Sequence, residues 1–432
     1  MSNVKKTKND ICWEQIFSDL SIAKKVKQSG TFEITADQIK SYHREPRLMT
    51  KFDQSSNLPK IFRDHDLSIL PITRGRYVIG NFNTYEVLTK PEKRGKPTKI
   101  NFPSTIQTID FKDIYSESIA LNCASICGMI DKIINEKAEL TVSGRMSTST
   151  FDFNIHDLSK VTKHHLSVEN SQCEIDGGYE SSNNFIIIEA KNFFPDDFII
   201  RQLYYPYRLW ASKINKRIVP VLMLYSNDIF SFYVFQFQDI ADYNSITLTG
   251  EYHFKLYEEE IDRIDILNLL KTTKTIAEPK IPFPQADSFE RIIDLLGLLM
   301  EKELSYDEIT ENYNFTTRQT DYYSNAGRYL GLIKKENIDG NIGYTLTAKT
   351  RRIMSKPYKE KYLAIITSIL EHKVFYDCLE KRFLKKTTLT HEEIVKIMKN
   401  NVIYGVKSEN TYYRRAQTIR SWIEWVFSFV SS

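Results

Sequence analysis

Apolar positions along the chain change period several times, and each change marks an element. Over residues 114–136, "IYSESIALNCASICGMIDKIINE", the residues Ile119, Leu121, Ala124, Ile126, Met129, Ile130, Ile133 and Ile134 recur at helical spacing and predict one helix. Short apolar runs follow: "ELTVSG" (139–144), "TFDFNI" (150–155) and "HLSVENSQCEIDGGYE" (165–180), then the turn "SSNN" and the run "FIIIEAKN". These predict strands. "DDFIIRQLYYPYRLWASKI" (196–214) predicts a helix whose acidic start suits the dipole and which kinks or breaks at Pro206. "RIVPVLMLYS" and "IFSFYVFQFQD" predict two more strands. Helix, strands, helix, strands is the pattern of an α/β or α+β domain with a mixed sheet.

The flanks read differently. Residues 1–90 mix short helical and strand-like pieces, with Thr35 as an N-cap of "ITADQIKSY" and two strands around Arg74-Gly75-Arg76. Residues 91–104 are Pro- and Lys-rich and read as a surface loop. After Ala277, "EPKIPFPQ" reads as a linker. Three helical patterns follow it (288–302, 305–314, 316–333), the second with Ser305 and Glu308 in capping-box spacing. A strand, a turn holding Gly340 and Gly343, and another strand complete the winged-helix order. "THEEIVKIMKN" and "SENTYYRRAQTIRSWIEWVF" suggest that a helix-turn-helix unit recurs. The expected domains are 1–90, a mixed module open to DNA recognition; 91–277, the central domain; 278–355, a winged helix; and 356–432, a second, basic helical region.

Composition adds little to this picture but narrows it. The chain has 432 residues, 41% hydrophobic and 26% charged, with a net charge of +4, so any nucleic-acid signal must be local. The five cysteines are scattered and form no CxxC pair, which suggests neither a disulfide framework nor a zinc site. The first residues lack the apolar core of a secretory signal, and no run reaches the length of a membrane span. A reducing, cytoplasmic setting with no membrane partner is expected. From Arg351 to Arg420 there are sixteen Lys and Arg against seven Asp and Glu, an excess suited to phosphates. Lys385, Lys386, Arg414, Arg415 and Arg420 are the candidate phosphate contacts. Thr317, Arg318, Gln319, Tyr322 and Asn325, on the expected recognition helix, are candidates for the groove, since Arg and Gln match guanine and adenine edges.

The chemistry concentrates in "IDGGYESSNNFIIIEAKN" (175–192). A buried strand that ends in Glu-Ala-Lys carries charges whose burial is costly unless they are paired or metal-bound. Asp176 and Glu189, at the ends of adjacent antiparallel strands, can share a hard divalent cation such as magnesium. Side chains alternate along a strand, so Glu189 and Lys191 share a face while Ala190 points into the fold. A lysine there can orient a metal-bound water or help deprotonate it.

These residues resemble the motif of the PD-(D/E)XK nuclease superfamily, the fold of most type II restriction endonucleases. The resemblance spans about residues 110–240 and implies an αβββαβ core. It implies that Asp176 and Glu189 are Mg2+ ligands and that Lys191 is the catalytic lysine, with Ile175 where the family motif has proline. Gln202 resembles the Gln of a Gln-X-X-X-Tyr helix, although Pro206 stands where the Tyr belongs. Glu117 is the candidate for an additional acid from the first helix. "EIDGGYE", "IEAKN", "RQLYYPYRLW" and "TRQTDYYSNAGRYLGLI" together resemble bacterial restriction endonucleases with a helix-turn-helix tail. The resemblance implies sequence-specific cleavage of double-stranded DNA, a homodimer to cut both strands, and a cognate DNA methyltransferase acting on the same site.

Other readings of the same residues stand beside these. Glu189 and Lys191 can be a solvated strand end, and Asp176 the start of a Gly177-Gly178 turn. "SGRMSTST" (143–150) places Arg145 where it could meet phosphates or merely in a polar loop. The aromatic run "LYYPYRLW" reads first as packing. The tail can bind protein rather than DNA. A winged-helix regulator with a non-cleaving nuclease-like domain and a modification-dependent nuclease are the alternative functions.

Overall fold

The computed structural model describes residues 6–88, 96–256, 259–312, 315–338, 340–385 and 387–430. It is a mixed α/β protein built around a seven-stranded mixed sheet. In spatial order the strands are Thr98–Lys99, Ile246–Lys255, Ile229–Phe237, Arg217–Ser226, Asn184–Lys191, Gln172–Glu180 and Glu139–Ser147. Asn184–Lys191 runs parallel to Arg217–Ser226 and antiparallel to Gln172–Glu180. A parallel neighbour needs a crossover, and the helix Arg201–Ala211 supplies it.

The two sheet faces are covered by different helices. Ile186, Ile188 and Ala190 pack with Leu121, Ala124, Met129 and Ile130 on one side. Phe185 and Ile187 pack with Ile175 toward Tyr207 and Trp210 on the other. The single helix expected over 114–136 is two, Glu117–Ile126 and Met129–Ile134, because Gly128 adopts a left-handed φ of 67° between them. Nor does the segment 165–180 form one strand. It divides into Lys163–Val168, which pairs with Phe151–His156 in a separate hairpin, and Gln172–Glu180. Asp197 does not open the next helix either: Asp197–Ile199 is a strand paired with Tyr85–Val87. Helix Arg201–Ala211 runs through Pro206 without ending. Its aromatic face is core, with Tyr204 and Tyr205 both fully buried and donating to the carbonyls of Ile240 and Pro71.

The N-terminal module has its own small core, where Trp13, Phe17 and Phe62 meet edge to face under a three-stranded sheet. Thr35 caps Ala36–Lys40 in a capping box with Gln38, and the strands Ser68–Pro71 and Arg76–Gly80 flank the Arg-Gly-Arg turn as expected. Beyond the central sheet, one continuous apolar cluster runs from Ile261 to Val426. It draws in the helix Arg263–Thr272 ahead of Ala277 and joins the regions 278–355 and 356–432 through one interior. Its first part reads helix Phe289–Glu301, strand Leu304–Ser305, helix Tyr306–Asn312, helix Thr317–Tyr329 and hairpin Ile333–Ile338/Asn341–Leu346. Gly340 takes φ 80° in the hairpin turn. Gly343 has ordinary φ and is small for another reason: a Cβ there would collide with the Ile338 side chain. No helix among the described residues is long and apolar enough to cross a membrane.

One turn ties this cluster to the sheet. Asn227 and Asp228, at φ 53° and 60°, form the two-residue connection between Arg217–Ser226 and Ile229–Phe237. Buried Asp294 accepts from Ser226 Oγ (2.8 Å), Asn227 Nδ2 (3.2 Å) and the Phe194 N–H (3.4 Å). Lys361, itself buried, meets Asp228 at 2.7 Å. Removing one partner from such a set leaves the others buried and unpaired. Asp294→Ala should therefore cost about 2–4 kcal/mol in urea unfolding; a loss within experimental error would show that the turn is not what docks the C-terminal region.

Candidate functional site

Local backbone irregularity positions the first acid. The pairing of Glu139–Ser147 with Gln172–Glu180 slips between Val142↔Gly178 and Gly144↔Ile175, so Asp176 and Gly177 sit at a bulge. The ladder to the other neighbour ends at Ile188↔Gly177. Just beyond it, Asp176 Oδ2 accepts the Ala190 N–H at 2.7 Å. Gly177 is required here by close approach: a Cβ would meet Tyr179 at 2.7 Å and Leu121 at 2.9 Å. The Gly-Gly pair is therefore strand rather than turn.

Glu189 and Lys191 lie on the face of Phe185 and Ile187, and Ala190 is fully buried on the opposite one. Glu189 is itself only 8% exposed, so the strand does not end in solvent. Lys191 pairs with Glu189 Oε1, and Gln202, from the following helix, donates its Nε2 to the same oxygen. Burial pushes the Glu189 carboxyl up to about 7, against the pull of Lys191. Asp176 and Glu117 are raised by burial as well, again opposed by Lys191. Burial alone would lower Lys191, but Glu189, Glu117, Asp53 and Asp176 together outweigh it and hold the ammonium well above its ordinary range. The surrounding carboxylates thus favour the protonated lysine.

Three chain regions converge on these residues. A cleft of ≈970 Å³ is lined by Asp176, Lys191 and Glu117 of the central domain. Residues of the N-terminal module such as Arg47, Lys51 and Asp53 line it too, as do Lys302, Thr316 and Thr317 of the C-terminal region. Asn57 Nδ2 reaches the Thr310 carbonyl at 3.2 Å, joining the two outer walls. The structure thus brings Glu117 and Gln202 to the Asp176–Glu189–Lys191 group. Arg145 is left apart, exposed and paired with Glu174 at 3.3 Å. Asp53 is the residue that sequence reading missed. Its loop is fixed by Ile199 N–H donating to the Asp53 carbonyl (2.9 Å) and Ser55 N–H donating to Asp197 (2.9 Å), and its Oδ1 is buried with no partner. No local motif marks "KFDQSS", and the contact spans distant sequence, so no signal could have found it.

The tail candidates separate into kinds. On the helix Thr317–Tyr329, Arg318 is exposed, stacked over Tyr322 and donating to its hydroxyl at 2.6 Å, and Asn325 lies further along, accepting from Arg328 at 2.8 Å. Gln319 is tied down: its Oε1 accepts the Thr316 N–H at 2.9 Å in a capping box. Lys385 pairs with Glu393 at 2.7 Å. Arg415 is half-buried against Gln285, Arg420 is half-buried, and Arg414 is exposed. Lys386 lies outside the described residues.

Two carboxylates, one amide and one ammonium, of which Asp176 and Lys191 open onto the cleft, are groups of the kind that can hold a hard cation and orient water beside an anionic ester. Among the described residues no group of three or more His, Cys, Asp or Glu is arranged to hold a metal ion. Three family profiles match the chain, each described as a domain of unknown function: DUF6996 over residues 10–79, DUF6997 over 80–255 and DUF7226 over 291–431. A search of curated proteins and a search of solved structures return no significant match.

The buried carboxyl of Glu189 carries a pH signature. Raised above its unfolded value of 4.5, it adds stability below pH 4.5 that is lost as pH rises through about 7. Glu189→Gln, measured with a chelator present, should gain on the wild type by up to roughly 3 kcal/mol between acid and mildly basic pH. A constant difference across that range would show that Glu189 is not held in a desolvated place.

Proposed function

We propose that the chain is a magnesium-dependent type II restriction endonuclease that hydrolyses phosphodiester bonds in double-stranded DNA at a specific sequence. The meeting of Asp176, Glu189 and Lys191 at one edge of the sheet carries this reading, with Asp176 and Lys191 lining the cleft, Asp176 Oδ2 on the Ala190 N–H at 2.7 Å and Lys191 on the buried Glu189. The order of elements supports it: helix Glu117–Ile126, strands Glu139–Ser147, Gln172–Glu180 and Asn184–Lys191, crossover helix Arg201–Ala211 and parallel strand Arg217–Ser226 follow an αβββαβ order, with helix Met129–Ile134, the hairpin Phe151–His156/Lys163–Val168 and strand Asp197–Ile199 inserted among them. The helix–strand–helix–helix–hairpin order of 289–346 supports a winged helix in the same way.

The donor set fits magnesium, which is commonly bound through one or two carboxylates plus substrate phosphates rather than a full protein cage. Asp176 and Glu189 are those carboxylates, and Gln202 Oε1, buried without a partner, is a further oxygen acceptor. Magnesium held there supplies charge neutralisation at the phosphoryl group. Lys191, kept protonated by its carboxylate neighbours, orients the attacking water or a phosphate oxygen as a donor rather than acting as a base. Gln202 holds Glu189 in place. Cutting both strands requires two such centres and hence a homodimer, and a cognate methyltransferase would protect the same site in the producing cell.

Incubating the purified protein with unmethylated phage DNA and magnesium should give discrete fragments; intact DNA would favour a DNA-binding regulator, and cutting confined to methylated DNA a modification-dependent nuclease. Asp176→Ala, Glu189→Ala and Lys191→Ala should each lower the cleavage rate by at least about 10²–10³-fold while duplex binding in calcium is retained. Wild-type cleavage by all three would remove the site assignment.

The exposed tail residues give a separate test by salt titration on cognate and scrambled duplexes. Arg318→Ala should weaken cognate binding selectively, by about 1–3 kcal/mol. Arg414→Ala should weaken both duplexes alike and flatten the salt dependence. No change in either would make the tail an assembly element.

A further inference from the structure

The wall of the cleft opposite Asp176 and Lys191 belongs to the N-terminal module, and its charge is one-sided. Lys6, Arg47, Lys51, Lys60 and Arg63 line it, against Asp10 and Asp53. All of these cations except Lys6 come from the short segment 47–63, and Arg47, Lys51, Lys60 and Arg63 are exposed. Lys6 pairs with Glu14 at 2.6 Å and Lys60 with Asp64 at the surface, pairs that contribute little and yield to a competing anion, while Lys51 lies 3.4 Å from the part-buried Asp53. The segment is not free to drift. Tyr85 donates its hydroxyl to the Phe52 carbonyl at 2.9 Å, and the Asp53 and Ser55 contacts anchor the loop to the strand Asp197–Ile199. The cations are therefore presented at a fixed place relative to Lys191.

A row of cations facing an acidic, cation-seeking centre is the arrangement that holds a polyanion by its flanking phosphates while one phosphate meets the centre.

We infer that the N-terminal module is a phosphate-gripping jaw, in which Arg47 and Lys51, with Lys60 and Arg63 beside them, hold the nucleic-acid backbone across the cleft from Asp176 and Lys191. This rests on the nuclease reading for the identity of the polymer and goes beyond it in assigning a surface. Being electrostatic, the grip is independent of sequence.

The test uses the full chain and a fluorescein-labelled duplex of mixed sequence, several helical turns long, with calcium in place of magnesium, read by anisotropy over a salt series. Arg47→Ala/Lys51→Ala should bind roughly tenfold more weakly, and the slope of log affinity against log salt should shrink by about 1.8, at about 0.9 for each phosphate no longer neutralised. Arg47→Lys alone, which keeps the charge, should leave affinity and slope close to those of the wild type. Arg76→Ala, a change at an exposed arginine paired with Glu33 outside the cleft, should match the wild type. Equal melting temperatures exclude a folding effect. An unchanged slope in the double variant, or a wild type that binds no duplex, overturns the jaw. A jaw that passes this test in a protein that cuts no DNA in magnesium would stand while the nuclease reading falls.

Discussion

The hydrogen bond from the Ala190 N–H to Asp176 is the constraint on which the rest of the centre depends. At the end of the Gly177↔Ile188 ladder the two strands would part, and the carboxylate bridges them at 2.7 Å. It fixes Asp176 against the chain that carries Glu189 and Lys191, so three charges from two strands share one place. The bulge makes this possible by turning one residue out of register, and Gly177 lets the backbone pass under Leu121 at a distance no side chain permits. Asp176 is thus held by backbone, while Glu189 is held by the Lys191 and Gln202 side chains.

Electrostatics then sets the character of the group. Four carboxylates, Asp53, Glu117, Asp176 and Glu189, act on one buried ammonium. Desolvation raises Glu117, Asp176 and Glu189, and the carboxylates raise the lysine, so carboxylates outnumber the ammonium at the site. That surplus of acceptor oxygens is the ground for the proposed magnesium site, and the protonated lysine is the ground for proposing it as a donor rather than a base.

The part of this legible in sequence was the part encoded by neighbours. Four apolar residues running into Glu189, the Asp-Gly-Gly run and the alternation that separates Ala190 from its neighbours are local facts, and the structure keeps them. The N-cap at Thr35 and the capping box at Ser305 were readable for the same reason, since each closes within three residues. The break at Gly128 and the strand at Asp197 were not. Helical periodicity continues through Gly128, and Asp197 is extended only because Tyr85–Val87, far earlier in the chain, lies beside it. Asp53 was invisible on the same ground: its role exists only where the modules meet.

Long-range packing also redistributes the meaning of the basic residues. Counting charge treats the sixteen cations between Arg351 and Arg420 as equivalent, but the fold does not. Arg382 is buried and bound to Glu424, Lys361 to Asp228, and Arg415 leans on Gln285. Those cations hold the C-terminal helices together and onto the sheet. Meanwhile segment 47–63, unremarkable by composition, is placed by its loop contacts opposite the acidic centre. A basic tract in sequence is thus a poor guide to a basic surface. What a cation does here depends on whether the fold has already given it a buried carboxylate, and the cleft gathers cations that are themselves exposed.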